Sequence, residues 1–274
     1  MRKNTPRHPA ISINTLCLPP AAFEVQLARV QRLGAAAISP TTEDLAEHGA
    51  FAAGKLARDS GLSVATLTHR AFGFATPAER DKARLRLAQT IDLAHDLAAQ
   101  SITFTTGGRG QLTWPEAAER FAHAIAPCAD LARQAGVKLS LEPTSHLYAD
   151  ASIAHRLTDT IALVRAAGIH LGIDVFACWF DSDVDAAIAA GAGAAAMVQV
   201  SDYVAGGRAL PCRAVPGDGM ARLDRLIPQI HATGFEGYYD IEIFGPRIDA
   251  EGAEVALARA VAYLVDLIPA ITPS

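Results

Sequence analysis

Short runs of apolar and β-branched residues recur along the whole chain, each bounded by polar or glycine-containing segments. They are ISINTLCL (11–18), AAAIS (35–39), LSVATLT (62–68), SITFTT (101–106), VKLSLE (137–142), HLGIDVF (170–176), MVQVS (197–201) and YYDIEIF (238–244). Such runs suit strands of a parallel sheet buried on both faces. Between them, apolar residues fall at helical spacing among good helix formers. The clearest helix covers Pro77–Gln100, with Thr76 as N-cap, proline at the first helical position and acid in the first turn. A second starts after Thr113 and stops at Gly136, with a kink predicted at Pro127. A third takes Asp150 as its cap, with apolar spacing from Ile153. The junctions RLGA, DSGL, QAGV, AAGI and ATGF each carry a glycine suited to a left-handed C-cap.

Strand, helix, glycine, strand, repeated eight times without a linker, predicts an α/β fold: a single (β/α)8 barrel filling residues 1–274 as one domain. A doubly wound open sheet is the alternative, but ISINTLCLPP lacks the glycine-rich phosphate turn expected after its first strand. TTGGRG (105–110) has no GxGxxG spacing and reads as a flexible loop after strand 4.

Half of the 274 residues are hydrophobic and 19% are charged, enough for a sizeable core. The net charge of −5, with no basic stripe, argues against nucleic acid or an anionic membrane as partner. Cys17, Cys128, Cys178 and Cys212 are far apart and form no CxxC pair, so they read as reduced thiols of a cytoplasmic protein. The basic start MRKNTPRHPA lacks the apolar core of a leader, and no apolar run approaches the ~18 residues of a membrane span.

Within MVQVS one residue does not belong. A buried amide such as Gln199 must find partners or costs roughly 1–3 kcal/mol. Three other strands carry a polar residue near their ends: Glu142, Asp174 and Glu242. Functional groups of a (β/α)8 barrel sit where strands give way to loops. Three carboxylates converging there repel one another and need a counter-charge, which a divalent cation supplies. Four oxygen donors suit a hard ion with positions left for substrate or water.

The motifs LEP after strand 5, GIDVFACWFD at strand 6, VQVSDY…PCRAVPGDG at strand 7 and YDIEIFGP at strand 8 are where the chain resembles a known family. It is similar to the xylose isomerase-like TIM barrel superfamily of sugar and sugar-phosphate isomerases and epimerases. The resemblance implies one divalent ion, Mn, Mg, Co or Zn, on Glu142, Asp174, Gln199 and Glu242, and the amide oxygen of Gln199 in place of imidazole shifts the preference toward Mn or Mg. It implies Glu142 and Glu242 as the acid/base pair that moves a proton α to a carbonyl through an enediolate. Arg213 matches an arginine that contacts substrate hydroxyls, and relatives commonly form dimers or tetramers. Two positions depart from the pattern: Gln199 replaces the usual strand-7 histidine, and Ala177 replaces a histidine that touches substrate oxygens. A branch that dehydrates 3-dehydroshikimate also uses Gln on strand 7, with a His where Thr144 stands here. The alternatives to an isomerase or epimerase of a keto-sugar or polyol are therefore a lyase or dehydratase and, from another class, a barrel that binds without turnover. The apurinic endonuclease branch needs further histidines and a basic DNA face, neither of which is present.

Further candidates follow from position. His69 after strand 3 and His146 after strand 5 are placed to meet substrate, and Trp179, beside Phe180, to wall the site. Asp202 either orients a ligand or Arg213 or caps its loop, and Arg247 either holds an anion or makes a subunit contact. His48, His95, His123 and His155 read as helix-surface residues.

Overall fold

A computed structural model describes residues 7–46 and 48–268, so the first six residues of the basic N-terminal stretch lie outside it. The strands are β1 (His8–Asn14), β2 (Ala35–Ser39), β3 in two pieces (Ser63–Val64 and Thr66–Thr68), β4 (Ser101–Phe104), β5 (Lys138–Leu141), β6 (His170–Asp174), β7 (Ala195–Val200) and β8 (Tyr238–Ile241). All pair in parallel with their sequence neighbours, and β8 pairs with β1. The first piece of β3 pairs with β2 and the second with β4. The break at Ala65 is bridged by its own N–H, which donates to Ile38 O at 3.0 Å, and Thr68 forms a parallel bridge with Thr41. The sheet thereby closes on itself as an eight-stranded barrel.

Around it run α1 (Phe23–Leu33), α2 (Ala50–Asp59), α3 (Pro77–Leu97), α4 (Trp114–Ala135), α5 (Leu157–Ala167), α6 (Val184–Gly191), α7 (Leu223–Ala232) and α8 (Ala253–Leu267). Thr76 and Thr113 each start a helix through a reciprocal capping box with Glu79 and Glu116. Gly34, Gly136 and Gly168 end helices in the left-handed conformation. α4 extends unbroken in sequence through Pro127. α5 starts later than its apolar spacing suggested, at Leu157, because Ile153 and Ala154 are buried in the preceding loop; Asp150 is an exposed turn residue and caps nothing.

The strands are buried on both faces, with aliphatic residues outward against the helices. The barrel interior is more polar. Ser12, Ser39, Thr66, Thr103, Ser140 and Asp240 are all nearly inaccessible. Thr66 and Thr103 share a hydroxyl contact of 2.9 Å across β3 and β4. The glycines of TTGGRG serve close approach rather than flexibility. A Cβ on Gly107 would come within 2.7 Å of Gly73 N, and one on Gly108 within 2.7 Å of Asp150 O.

A carboxylate cluster held by an arginine at the barrel mouth

Four consecutive strands deliver the cluster. Glu142 follows β5 directly and ties its N–H to Phe104 O. Asp174 ends β6 and caps the helical turn Val175–Cys178, accepting from Phe176 N at 3.0 Å. Gln199 lies in β7, in register with Asp174 on one side and Asp240 on the other. Glu242 comes just past β8, its N–H on Val200 O. Asp174, Gln199 and Glu242 are 3%, 3% and 6% exposed, so their charges and dipoles must be satisfied within the protein.

Arg213 meets most of that demand. Its guanidinium grips Asp174 with both nitrogens, Nη2 to Oδ2 at 2.7 Å and Nη1 to Oδ1 at 3.2 Å. The same Nη2 lies 2.9 Å from Glu242 Oε2, and Nη1 donates to Ser201 Oγ at 2.9 Å. Phe176 and Phe244 hold the group from their ring faces, 4.8 and 5.5 Å from the guanidinium carbon. Gln199 Nε2 donates to Glu242 Oε2 at 2.9 Å.

Asp202 explains how Arg213 gets there. Its carboxylate accepts backbone N–H groups from Tyr203, Gly217, Gly219 and Ala221 at 2.7–3.0 Å. Its backbone pairs with Ala214, the residue after the arginine, through two hydrogen bonds. Asp202 therefore folds the long loop after β7 and fixes the origin of the Arg213 side chain. A Cβ at Gly219 would collide with Tyr203 O and the Asp202 carboxylate, so this turn admits only glycine.

The electrostatics follow from these contacts. Burial pushes the Glu142 carboxyl well above its usual range, and the charges of Glu242 and Asp174 push it further. Burial raises Glu242 as well, against the pull of Arg213. Arg213 itself would be lowered by burial, but Asp174 and Glu242 outweigh that and raise it. Three carboxyl groups face one guanidinium, so full ionisation of all three would leave an excess of negative charge. Two buried acceptors, Glu142 Oε2 and Gln199 Oε1, have no hydrogen-bond partner.

These orphaned oxygens test the metal expectation. Both are hard oxygen donors lacking a positive partner, and with Asp174 and Glu242 they form the all-oxygen set suited to Mg or Mn. The chemistry of the residues fits a divalent ion. Among the described residues, however, no group of three or more His, Cys, Asp or Glu is arranged to hold one. The Arg213 guanidinium lies against both Asp174 and Glu242.

The other candidates divide. Trp179 and His146 border a cleft of about 620 Å³ outside the cluster, between the loops after β5, β6 and β7; Phe176, Ala177 and Tyr203 line it too. Trp179 stacks on Tyr203 at 5.8 Å. His69 turns toward the helix layer, its Nδ1 2.9 Å from Thr90 Oγ1 on α3, and burial lowers its pKa to about 4. Arg247 is exposed on the short helix Pro246–Glu251. His95 and His123 lie on helices, whereas His48 precedes α2 and His155 precedes α5 with its ring on Thr144 O. Sequence reasoning passed over Asp240, wholly buried and bonded to Ser12 Oγ at 2.5 Å, Ser39 Oγ at 2.6 Å and Asn14 Nδ2 at 3.2 Å. The signal was present: in YYDIEIF, Asp240 and Glu242 are two apart and so share one face of the strand. All four cysteines are free, as their spacing suggested.

The profile of the xylose isomerase-like TIM barrel family matches residues 27–266. Protein SMc04130 from Sinorhizobium meliloti 1021 superposes with a TM-score of 0.86 at 26% identity, covering 94% of this chain and 98% of that one. The IolI protein with a bound zinc atom gives 0.80 at 17% identity, covering 94% and 97%. L-ribulose 3-epimerase gives 0.79 at 20% identity, covering 93% of each. No curated protein matches the sequence. No helix among the described residues is long and apolar enough to cross a membrane.

Proposed function

Because the chain belongs to the xylose isomerase-like TIM barrel family, we propose that it is a sugar or sugar-phosphate isomerase or epimerase that works by proton transfer α to a carbonyl. The observation that carries this reading is the pair Glu142 and Glu242, two buried carboxyls at one mouth whose pKa values are both raised. A carboxyl lifted toward neutrality can take a proton from carbon and return it, which an ordinary surface glutamate does poorly. Gln199 Nε2 holds one oxygen of Glu242, which fixes the carboxyl plane. Asp174 is oriented by the hydrogen bond that it accepts from Phe176 N. Arg213, once free of the carboxylates, would be a donor for substrate hydroxyls. A divalent ion on Glu142, Asp174, Gln199 and Glu242 would supply Lewis-acid polarisation of the substrate carbonyl. IolI with its zinc atom and L-ribulose 3-epimerase, which share the fold, support this choice of chemistry.

The test is exchange of substrate α-hydrogen in D2O over a panel of keto-sugars, with protein purified without chelator and its metal content measured. Exchange without loss of water, abolished by Glu142→Gln and by Glu242→Gln, is the expected result. Turnover intact in both variants removes the acid/base assignment. Protein that holds no metal, rejects added Mn and exchanges nothing fits a binding barrel instead. One alternative has its own observation. Gln199 in place of histidine, and the apolar Ala177 in the cleft wall, favour a lyase that expels a β-hydroxyl from the same enolate. That reaction gives an enone absorbing in the ultraviolet, which the isomerase does not.

A further inference from the structure

Arg213 makes contacts that a substrate-binding arginine has no need of. It joins two carboxylates of the expected metal set by three nitrogen–oxygen distances between 2.7 and 3.2 Å, and its side chain is only 12% exposed. Its Nη1 has a neutral anchor, Ser201 Oγ, which is itself fully buried. Phe176 and Phe244 hold the planar group from its faces. Meanwhile one oxygen on each of the remaining two members, Glu142 Oε2 and Gln199 Oε1, has no hydrogen-bond partner. The guanidinium thus neutralises half of the cluster and leaves the other half waiting.

We propose that Arg213 is an internal counter-ion that exchanges with a divalent cation: it closes over Asp174 and Glu242 in the metal-free protein, and metal binding releases it to the mouth. The inference rests on the metal reading above and adds a role for this side chain and for Ser201. A divalent cation on Asp174 and Glu242 would repel the guanidinium across a few ångströms and draw on oxygens that it now holds, so the two compete for the same carboxylates. The Asp202–Ala214 bridge fixes the backbone beside Arg213 whichever way its side chain turns, while the flexible stem lets the guanidinium move. Arg213 is then a positioning residue for the metal and, once released, a substrate contact.

The experiment measures Mn binding by calorimetry, with thermal stability of the metal-free proteins alongside, for wild type, Arg213→Met and Ser201→Ala. If the closed arginine must be displaced, apparent affinity is reduced by the fraction of protein that is closed, so Arg213→Met binds Mn about tenfold tighter or more. Arg213→Met also removes a positive charge, which by itself favours a cation. Ser201→Ala controls for this: it leaves the net charge unchanged, loosens only the closed position and tightens Mn binding by a smaller factor. Metal-free Arg213→Met melts lower than wild type because its carboxylates lose their counter-charge, and saturating Mn narrows that gap. Tightening in Arg213→Met without tightening in Ser201→Ala shows a charge effect alone and overturns the exchange. Equal Mn affinity in all three proteins overturns it while leaving the metal reading in place. No Mn binding in any of them overturns both. Should Arg213→Met not fold, the comparison of Ser201→Ala with wild type decides alone.

Discussion

Asp240 and Glu242 stand two residues apart at the end of one strand, both turned into the barrel. Asp240 meets three neutral donors, Ser12, Asn14 and Ser39 from β1 and β2. Glu242 meets an amide and a guanidinium, and its neighbours Glu142 and Gln199 keep buried oxygens without partners. The first is a closed hydrogen-bond network, which rigidifies a core. The second carries unbalanced charge and unmet acceptors, a costly arrangement that persists where it has work to do. Satisfaction of the polar atoms, more than burial or charge, separates a structural carboxylate from a functional one here.

The sharpest way to break the contrast is to neutralise each member in turn. Glu242→Gln should cost about 10²–10⁴ in turnover, the usual worth of a general acid or base, with little loss of stability. Asp240→Asn should leave most of the turnover in place. Initial rates on whichever keto-sugar supports exchange decide it; equal losses in both variants would merge the two sites into one. Stability should rank them the other way. Asp240→Leu strands three buried donors and should lower the unfolding free energy by about 2–4 kcal/mol in a denaturant titration, whereas Glu242→Leu removes part of a repulsive set and should cost less.

How much of this was legible beforehand depends on what held each residue in place. The eight strands and their glycine-capped helices were readable because burial on both faces and the left-handed C-cap leave local marks: AAAIS became β2 residue for residue. Glu142, Asp174, Gln199 and Glu242 were readable because each is polar in an apolar run, at the strand end where a barrel carries function. The start of α5 was not, since the loop before it buries Ile153 and Ala154 and so imitates helical spacing. Asp202 was ambiguous for a similar reason: only the folded loop reveals four backbone N–H groups converging on one carboxylate. The grip of Arg213 on Asp174 was invisible as well. It joins residues 39 apart through a loop whose path depends on Asp202.

The contrast also has a pH signature. Burial raises Asp240 from its ordinary value of 3.8 to about 6, although Ser12, Ser39, Asn14 and Arg213 all favour its charged form. A carboxyl raised in the folded state binds its proton more tightly there than in the unfolded chain. Its contribution to stability is therefore fully present below pH 3.8 and is lost as pH rises through about 6. The metal-free protein should lose up to about 3 kcal/mol across that window from this group alone. Unfolding curves at a series of pH values measure the loss, and Asp240→Asn should flatten it; a slope unchanged in that variant would assign the titration to the cluster around Glu242 instead.

Ser12→Ala should give the smallest effect. Ser12 and Ser39 both donate to the same oxygen of Asp240, at 2.5 and 2.6 Å, so each favours the ionised carboxylate. Losing one donor leaves the other, and the cost at neutral pH should be about 1 kcal/mol, the net worth of one hydrogen bond. The sign with pH distinguishes this from simple loss of packing. Without the Ser12 donor the charged form is less favoured, so the folded pKa rises further and the stability decline moves to higher pH. Below the titration, with Asp240 protonated in both proteins, the two unfolding curves should draw together, because the carboxyl can then donate to a remaining hydroxyl. A constant offset at every pH would mean that Ser12 contributes by filling space, and Asp240 would then owe its ionisation to Ser39 and Asn14.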